Sequence, residues 1–482
     1  MSSKHKAISR REFLTRTGQT AIGIAAAGAL ASCTGSQVGS IAASQTTGAN
    51  DRVNIAMIGI RNRGNALTAT FAKIAGVHIK TLCDVDENLY AQRVKEVEQQ
   101  QGSAPSTQYD LRRVLDDKDI DAVVVATPNH WHALATIWAC QAGKHVYVEK
   151  PCSHNIFEGR KTIAAARKYN CLVQGGFQFR STRNIRQAMK FLHDGGIGEV
   201  YMARGLCFKS RGDIGKYPDG PMSKGEEFNL TVDGDNKLTY DCDYLKGVHY
   251  DLWLGPAPQR PFNRNRFHYN YHWFWDYGNG DIGAQGPHQF DIARWGLNKN
   301  EHPVKITSTG GYFAFDSAQE TPNTQTAVYE YADGKILQFD VRGLYTNIEE
   351  DINVGNFFYG TKGWMHIKGD TWKTFFGRKN EPGPAYETAG EYADPMNLAG
   401  TGEGAHCENF IRAIRSGKSE YITCDIETAF FSDTLHHLAN ISYRLGRQLT
   451  FDGAKEKFVG DDQANRMLTR NYRDPYVVTE NV

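Results

Sequence analysis

Short apolar runs alternate with helical stretches in the chain segment that follows residue 50. The apolar runs predict buried parallel strands at 53–58, 77–83, 122–126, 146–148 and 171–174. Stretches with helical character lie between them, at 65–74, 111–115, 132–142 and 156–169. Strict alternation of this kind predicts an α/β domain over residues 51–176, with a doubly wound parallel sheet.

The pattern changes after residue 177, where apolar and polar positions alternate singly. This alternation predicts strands at 199–206, 304–309, 327–331, 336–341, 364–367 and 372–376. Turn signals such as Ala332-Asp333-Gly334 separate them. We expect a C-terminal α+β domain over residues 177–455 with a large, mainly antiparallel sheet, helices at 403–415 and 428–445, and a surface strap at 456–482.

Residues 207–281 interrupt this pattern with a long irregular segment that is rich in aromatic residues. Aromatic planes stack on the C–H faces of sugar rings, and neighbouring polar side chains bind hydroxyl groups. The alternative is a loop that packs its own aromatic side chains as a small core.

Length and charge exclude several classes of protein. The chain has 482 residues, which is more than one ordinary domain usually takes. Its 55 Lys and Arg residues nearly balance 54 Asp and Glu residues, which argues against a surface devoted to nucleic acid. A hydrophobic content of 40% with 23% charged residues excludes a disordered or an integral membrane protein.

The first 32 residues have the features of an export signal. Ser9-Arg10-Arg11-Glu12-Phe13-Leu14 is a twin-arginine pattern, and the uncharged run 17–32 that follows it is too short to span a membrane. Leu30-Ala31-Ser32-Cys33 resembles a lipobox, which predicts lipidation of Cys33; a free cysteine there by chance is the alternative. We expect a signal peptide at 1–32, a flexible tether at 33–50 and a periplasmic lipoprotein whose only membrane contact is this anchor.

The other eight cysteines are scattered singly and form no CxxC pair. Several lie in apolar strands or helices, where cysteine behaves as a small buried hydrophobe. We therefore predict no metal site, and the spacing assigns no disulfide.

A glycine-containing turn follows the first strand and predicts a dinucleotide site. The turn is Gly59-Ile60-Arg61-Asn62-Arg63-Gly64, and Asp84 ends the second strand 25 residues after Gly59. This order places a pyrophosphate at a helix N-terminus and a carboxylate beside the ribose hydroxyls. Arg61 replaces the usual middle glycine, but its guanidinium can pair with phosphate. The charge of Asp84 favours NAD; because Arg61 softens that preference, NADP stays open.

Further polar residues lie where later strands end. They are Thr127, Asn129, His130, Glu149 and Lys150. Ligands of doubly wound sheets collect at the carboxyl ends of the strands, so we predict that these residues line the cofactor site.

Three motifs together resemble the Gfo/Idh/MocA oxidoreductases. They are Ala126-Thr127-Pro128-Asn129-His130-Trp131-His132, Val148-Glu149-Lys150-Pro151 and Gly283-Ala284-Gln285-Gly286-Pro287-His288-Gln289-Phe290-Asp291. The resemblance covers most of the chain from residue 51. It implies an N-terminal Rossmann domain that binds NAD(P), a C-terminal α/β domain, a sugar or polyol substrate, and a homo-oligomer formed through one face of the antiparallel sheet.

The resemblance also implies the roles of two residues. Lys150 would lie beside the nicotinamide and polarise the reacting hydroxyl, with a cis Lys150–Pro151 peptide, whereas the alternative is a solvated strand-end lysine. His288 would exchange the hydroxyl proton, whereas the alternative is a histidine that caps a helix. Related proteins often carry an aspartate three or four residues before this histidine. Gln285 and Ala284 occupy those positions here, so His288 lacks that carboxylate partner. Substrate contacts are predicted for Arg180, His272, Tyr277 and Asp291.

Three functions fit these features. The first is an exported oxidoreductase that transfers hydride between a tightly held NAD and a sugar or sugar derivative. The second is an NAD-dependent glycoside hydrolase that works by transient oxidation, elimination, hydration and re-reduction. Because little free NAD is expected outside the cytoplasm, a captive cofactor suits both. The third is a non-catalytic sugar-binding lipoprotein, which the altered glycine turn and the missing acid near His288 favour.

Overall fold

Six short strands in the first half of the chain form a parallel sheet in the order β3-β2-β1-β4-β5-β6. They are β1 Val53–Ile58, β2 Val77–Cys83, β3 Ser106–Gln108, β4 Ala122–Val125, β5 His145–Val148 and β6 Val173–Gly175. The helices between them are Asn62–Phe71, Tyr90–Gln101, Leu111–Asp116, Asn129–Gln141 and Ile156–Lys168. All four residues of β4 are buried, as expected of a parallel strand covered on both faces.

This architecture comes from a computed structural model that describes residues 52–220, 227–229, 237–239, 246–345, 348–349, 351–389, 392–393, 396 and 400–482. The predicted signal peptide, the tether and the lipidation site Cys33 lie outside the described residues. Residues 47–482 belong to one compact unit.

Ten strands of the second half form the larger sheet, in the order β16-β15-β14-β13-β7-β12-β11-β10-β17-β18. The strands are β7 Val200–Cys207, β10 Lys305–Gly311, β11 Thr324–Glu330, β12 Ile336–Arg342, β13 Val354–Gly360, β14 Gly363–Lys368, β15 Thr371–Phe376, β16 Glu381–Ala385, β17 Leu449–Asp452 and β18 Lys457–Phe458. Strands β8 Glu227–Asn229 and β9 Lys237–Thr239 form a separate pair. Only β7 and β12 pair in parallel within the described part of this sheet, so the predicted fold class is confirmed.

Helices cover one face of the larger sheet. The helices of the second half are Arg183–His193, Tyr250–Leu254, Gly280–Ala284, Gly286–Gly296, Gly402–Ser416, Ile426–Leu445 and Asp462–Arg466. Phe290 stacks on Phe339 of β12 with ring centroids 4.0 Å apart, and the Tyr329 hydroxyl of β11 donates to the carbonyl of Leu435 at 2.8 Å. These contacts fix Gly286–Gly296 and Ile426–Leu445 on the sheet, and thereby the position of Gly280–Ala284 beside the smaller sheet.

The sequence pattern missed the helices Tyr90–Gln101 and Arg183–His193 and the strand β13. In Tyr90–Gln101 only Arg93 and Val97 are buried, so the apolar stripe that indicates a helix is almost absent. Strand β13 contains glycine at 355 and 360, which weakens the strand signal.

Part of the irregular aromatic segment forms a small core of its own. Its buried members are Trp253, Leu254, Ala257, Phe262, Phe267, Trp273, Phe274 and Tyr277. The Trp131 indole donates to the carbonyl of Leu252 at 3.0 Å, which joins this core to the helix Asn129–Gln141 of the smaller sheet. The segment is therefore anchored beside the carboxyl ends of the parallel strands.

The described residues contain seven cysteines, all of them free and buried. The same residues contain no group of His, Cys, Asp and Glu side chains arranged to hold a metal ion. Within the part of the chain that the structure describes, no helix is both long and apolar enough to cross a membrane.

Candidate active site

A cavity of about 470 Å³ opens at the carboxyl ends of β1, β2, β4 and β5, between the two halves of the chain. From the first half it is lined by Gly59, Arg61, Asn62, Arg63, Asp84, Thr127, Asn129, His132, Glu149 and Lys150. From the second half it is lined by Lys209, Arg211, His268, Tyr269, Tyr271, His272, Ala284 and Gln285. Most of the residues predicted for the cofactor therefore meet in one place.

Two glycines shape the turn after β1. Gly59 has a φ of +84°, and a Cβ atom there would lie 2.7 Å from the carbonyl oxygen of Ala126. A Cβ atom on Gly64 would lie 1.8 Å from the carbonyl oxygen of Gly59, so only glycine permits the turn. Gly64 and the buried Ile60 do not line the cavity; the structure places them in the turn, and their contact with the cofactor stays a prediction.

Asp84 closes the end of β2 and lines the cavity. Its Oδ2 accepts a hydrogen bond from the Ile60 amide at 2.9 Å, and its Oδ1 accepts one from the Asp86 amide at 3.0 Å. Burial raises the pKa of Asp84 to about 6, although the Ile60 hydrogen bond opposes the shift. These amides fix the carboxyl group at the position where the motif expects the ribose.

Arg63 links the turn to both halves of the chain. Its Nε donates to Glu149 Oε1 at 2.8 Å, and its Nη1 pairs with Glu403 of the helix Gly402–Ser416. Its Nη2 is buried and finds no hydrogen-bond partner among the described residues. The same holds for Oγ1 of Thr127. Two polar atoms on cavity-lining residues thus lack a partner where a dinucleotide would lie, which fits a phosphate-bearing ligand.

Lys150 is the central cation of the cavity. Its Nζ donates to the backbone carbonyl of Ala284 at 2.6 Å, and the Lys150–Pro151 peptide is cis, as predicted. Burial lowers the pKa of Lys150 to about 8, with Glu149 opposing the shift and Arg63 and Lys209 adding to it. Both protonation states are therefore accessible near neutral pH.

His288 lies close to Lys150 but does not line the cavity. Its ring meets Phe177 and Phe179 edge-on, with centroids 6.1 and 5.5 Å away. Burial holds its pKa well below the usual range, and the charge of Lys150 lowers it further. The structure thus gives the cavity Lys150 and not His288, so the proton-exchange role of His288 stays a prediction that this placement does not favour.

His272 lines the cavity, as predicted for a substrate residue. Its Nδ1 lies 2.5 Å from the carbonyl oxygen of Tyr269, so this nitrogen carries the proton. Burial lowers the pKa of His272 to about 3, and Lys150 contributes to the shift. The ring is therefore neutral, and Nε2 keeps a lone pair that can accept a hydrogen bond.

His130 and Tyr277 lie away from the cavity wall, so their predicted ligand contacts stay predictions that this placement does not favour. Nε2 of His130 lies 2.8 Å from the carbonyl oxygen of Trp253, and its ring packs against Tyr277 at 5.3 Å. Both side chains are fully buried and neither lines the cavity. They belong to the aromatic core because the segment 246–281 folds onto the helix Asn129–Gln141.

The placement of Arg180 and Asp291 likewise does not favour the predicted substrate contacts. They form an ion pair in which Arg180 Nε lies 2.8 Å from Asp291 Oδ2, and Ser432 donates a second hydrogen bond to Asp291. Neither residue lines the cavity. Arg180 also lies over Trp295, with 4.7 Å to the ring centroid, so this pair joins helices rather than binding substrate.

Several cavity-lining polar residues were not among the predicted sites, among them Lys209, Arg211 and Tyr271. Lys209 follows β7 and donates to Gln285 Oε1 at 2.6 Å. Arg211 pairs with Asp281 at 2.6 Å, and Tyr271 donates to Asn129 Oδ1 at 3.1 Å. Their signal was weak because β7 and the aromatic segment reach the site only through the packing of the two sheets.

A short segment packs against the cavity-lining residues Val85 and Tyr109, close to Asp84. This clasp consists of residues 246–249. Its His249 amide donates to the Val85 carbonyl at 2.8 Å, and its Gly247 carbonyl accepts from the Glu87 amide at 2.8 Å. Nε2 of His249 lies 2.6 Å from Glu87 Oε1, and its ring stacks on cavity-lining Tyr109 with centroids 3.9 Å apart.

Two family models match the chain. The model of the Gfo/Idh/MocA oxidoreductase family for the NAD-binding Rossmann fold matches residues 53–177. The model for the C-terminal alpha/beta domain of this oxidoreductase family matches residues 223–478, more than half of the chain.

Curated relatives align with shorter stretches. The levoglucosan dehydrogenase of Pseudarthrobacter phenanthrenivorans is 35% identical over 114 residues, 24% of this chain and 28% of that protein. The alpha-N-acetylgalactosaminidase of Shewanella oneidensis is 27% identical over 208 residues, 40% of this chain and 44% of that protein. The chain therefore spans less than half the length of either relative.

Solved structures share the fold at low identity. The WlbA dehydrogenase from Chromobacterium violaceum, in complex with NADH and UDP-GlcNAcA, has a TM-score of 0.59 and 18% identity, with 83% of this chain and 96% of that chain covered. Levoglucosan dehydrogenase in complex with NADH and levoglucosan has a TM-score of 0.57 and 19% identity, with 85% and 99% covered.

Proposed function

This chain belongs to the Gfo/Idh/MocA oxidoreductase family, and we propose that it transfers hydride between NAD and a sugar or sugar derivative. One observation carries the proposal: the cavity at the ends of the NAD-binding strands contains a half-buried lysine, Lys150, whose pKa is lowered to about 8. A group with that pKa can both take and return a hydroxyl proton near neutral pH.

The residues around the turn fit the cofactor. Arg63 and Thr127 would bind the phosphates, and Asp84 would accept hydrogen bonds from the ribose hydroxyls. When bound, NAD supplies the acceptor or the donor of hydride. The anionic form of Asp84 disfavours a 2′-phosphate, which supports NAD over NADP.

In this mechanism Lys150 exchanges the proton of the reacting hydroxyl group. The neutral amine takes the hydroxyl proton of the sugar when the alcohol is oxidised, and the ammonium returns it in the reverse direction. The Ala284 carbonyl fixes the position of Nζ in both states. His272 accepts a hydrogen bond from a second sugar hydroxyl through Nε2, and Lys209 and Arg211 donate to oxygen atoms of the substrate.

We test this with protein that is purified without added cofactor. The protein is denatured and the released nucleotide identified; native protein is then mixed with a panel that includes levoglucosan and N-acetylhexosamines. We expect bound NAD(H) and a change in nicotinamide absorbance with at least one sugar. A protein that neither contains nor binds NAD would refute the proposal.

We also propose that the cofactor is held tightly. The clasp forms backbone hydrogen bonds with Val85 and Glu87, which follow Asp84 in the sequence. His249 of the clasp also stacks on Tyr109. These contacts hold Val85 and Tyr109 in the wall of the cavity, where they would retain a nucleotide that lies on Asp84. Retention would suit a protein outside the cytoplasm, where free NAD is scarce.

A glycoside hydrolase is the second candidate, and the alignment with the alpha-N-acetylgalactosaminidase favours it. In this reaction the sugar is oxidised, the aglycone is eliminated, water is added and the sugar is reduced, so NAD is regenerated in each cycle. An assay with aryl α- and β-glycosides, without added NAD, distinguishes the hydrolase from the dehydrogenase. Release of the aryl group supports hydrolysis, whereas oxidation of free sugars alone supports a dehydrogenase.

We propose export and lipidation at Cys33 on the strength of Arg10, Arg11 and the lipobox-like residues 30–33. Radiolabelled palmitate should be incorporated into the wild-type protein and not into Cys33→Ser. Secretion that depends on the twin-arginine pair would be lost in a double substitution of Arg10 and Arg11 by Lys.

We further propose a homo-oligomer formed through the face of the larger sheet that helices do not cover. On β14, Met365 and Ile367 point to the core, so the alternating Trp364 and His366 point to the other face. Trp364 stacks there on Phe375 at 4.4 Å, and Tyr201 on β7 is half exposed. An exposed aromatic face of this kind is typical of an interface.

A further inference from the structure

A second cavity, of about 290 Å³, lies on the far side of Asn279 from the active-site cavity. Four elements form it: one face of the helix Ile426–Leu445, the residues after Pro151, the end of the aromatic segment, and the C-terminal residues 466–471. Its size is at the lower end of small-molecule pockets, which suits a ligand no larger than a monosaccharide.

The mouth of this cavity is positively charged. Arg444 and Arg466 line it and are exposed, and neither forms an ion pair with a residue that the structure describes. The third arginine on the wall, Arg470, is neutralised by Glu158 at 2.8 Å, and the wall acid Asp276 by Arg260 at 2.6 Å. The carboxylate of Glu320 also lies near, 3.6 Å from Arg260, and it acts on Arg444 together with Asp276. One net positive charge is therefore left at the mouth for a ligand, and it favours an anion.

The inner part of the cavity is polar and neutral. His154 and His437 line it, and both are at least nine-tenths buried. Nε2 of His154 has no hydrogen-bond partner among the described residues. Burial holds the pKa of His154 well below its usual range and lowers that of His437 to about 3, so both rings are neutral. Neutral imidazoles bind hydroxyl groups and do not attract a second anionic group.

An aromatic ring completes the site. Trp275 lines the cavity and lies beneath the Arg444 guanidinium, with 4.9 Å between the guanidinium carbon and the ring centroid. This stacking holds the guanidinium at the mouth of the cavity, in the planar orientation that binds a carboxylate through two hydrogen bonds.

We propose that this cavity is a second binding site, for a polyhydroxy carboxylate of monosaccharide size such as a sugar acid. Its carboxylate pairs with Arg444 at the mouth and its hydroxyl groups bind His154 and His437 inside. The site is separate from the active-site cavity, because Asn279 stands between them: its Oδ1 accepts from Asn129 and its Nδ2 donates to the carbonyl of His154, both at 3.3 Å. The proposal does not depend on the reaction assigned to Lys150.

The test is calorimetric titration of the full chain, as purified, with D-glucuronate and with neutral D-glucose. We expect D-glucuronate to bind and Arg444→Gln to weaken it about tenfold or more, because a charged hydrogen bond is removed. Asn471→Asp adds a negative charge to the wall of the cavity and should also weaken binding. This second variant tests the site while Arg444 stays in place. Arg378→Gln, an exposed arginine at the edge of the larger sheet, is the matched control and should bind as wild type.

Lys150→Met locates the bound ligand. If D-glucuronate binds in the second cavity, this variant keeps its affinity. Loss of binding in Lys150→Met with full binding in Arg444→Gln would place the ligand in the active-site cavity and overturn the proposal. No binding by the wild type, or equal binding of D-glucose that Arg444→Gln leaves unchanged, would overturn it too.

Discussion

Replacement of Lys150 by methionine should remove activity and increase stability at the same time. The pKa of Lys150 falls from its ordinary 10.5 to about 8 because the ammonium is buried. A difference of that size corresponds to about 3 kcal/mol of unfavourable burial when the lysine is charged. Methionine fills a similar volume without the charge, but loses the hydrogen bond to Ala284, worth about 1 kcal/mol. The expected net gain at pH 7 is thus about 2 kcal/mol.

The sign of the pH dependence follows from proton binding. Between pH 8 and 10.5 the unfolded chain keeps the Lys150 proton and the folded chain has lost it, so this residue makes stability rise with pH in that window. Below pH 8 Lys150 is protonated in both the folded and the unfolded chain, so the folded state carries the full free-energy cost of burying the charge. The advantage of Lys150→Met should therefore be largest at neutral pH and fade towards pH 10.5. Chemical denaturation at several pH values measures it.

The rate should follow the same group. In the oxidation direction kcat/KM should rise with pH to a plateau with an apparent pKa of about 8, because the neutral amine takes the proton. In the reduction direction the rate should fall over the same range. Lys150→Met should lower kcat/KM by about 10²- to 10⁴-fold, and the remaining rate should no longer change with pH around 8.

Lys144 provides a matched control at the other end of β5. It is buried, and its Nζ donates to the carbonyls of Asp117 and Ile120 at 2.6 and 2.8 Å. Lys144→Met should lose stability and keep the pH–rate profile. The reasoning would be refuted by a Lys150→Met variant that is less stable than wild type at pH 7. It would also be refuted if the kcat/KM of this variant still changed with pH near 8.

Four further results are expected. Asp84→Asn should weaken NAD binding and remove its decline below pH 6, since the wild-type carboxyl has a pKa of about 6; equilibrium titration across pH measures this, and an unchanged pH dependence would contradict it. Tyr109→Ala should speed NAD release up to about tenfold because the stack on His249 is lost, as stopped-flow displacement would show; the exposed Tyr217→Ala is the control. Trp364→Glu should dissociate the oligomer in light scattering, whereas Tyr345→Glu, which is 80% exposed, should not. Gln285→Glu should shift the midpoint of the pH–rate profile above 8, because it adds a negative charge near Lys150; an unchanged midpoint would count against electrostatic control of this lysine.

Local sequence signals were sufficient for most strands of the two sheets and for one end of the active site, but not for strands such as β13. Fully apolar strands such as β4 and the turn between Gly59 and Gly64 are fixed by neighbouring residues, since burial and sterics act there over a few positions. Lys150 was found for the same reason: it directly follows a buried strand whose carboxyl end opens into the cavity.

The other end of the site depends on packing between distant segments. Arg180 was predicted as a substrate residue, but it pairs with Asp291, which lies 111 residues away in the sequence. Tyr277 was predicted as a substrate contact in the aromatic segment and His130 as a cofactor contact at a strand end, yet both pack in the aromatic core. Lys209 gave no signal as a site residue because only the docking of β7 beside the smaller sheet brings it to the cavity.

The replacement of the expected acid by Gln285 is consistent with a working enzyme when its neighbours are considered together. A carboxylate at that position would raise the pKa of a nearby lysine, so Lys150 would be almost fully protonated at neutral pH and would need a second base. Gln285 instead holds Lys209 at 2.6 Å, and the charge of Lys209 helps to lower the pKa of Lys150 to about 8. We therefore expect Lys150 to exchange the proton without a second base, which agrees with the absence of His288 from the cavity wall.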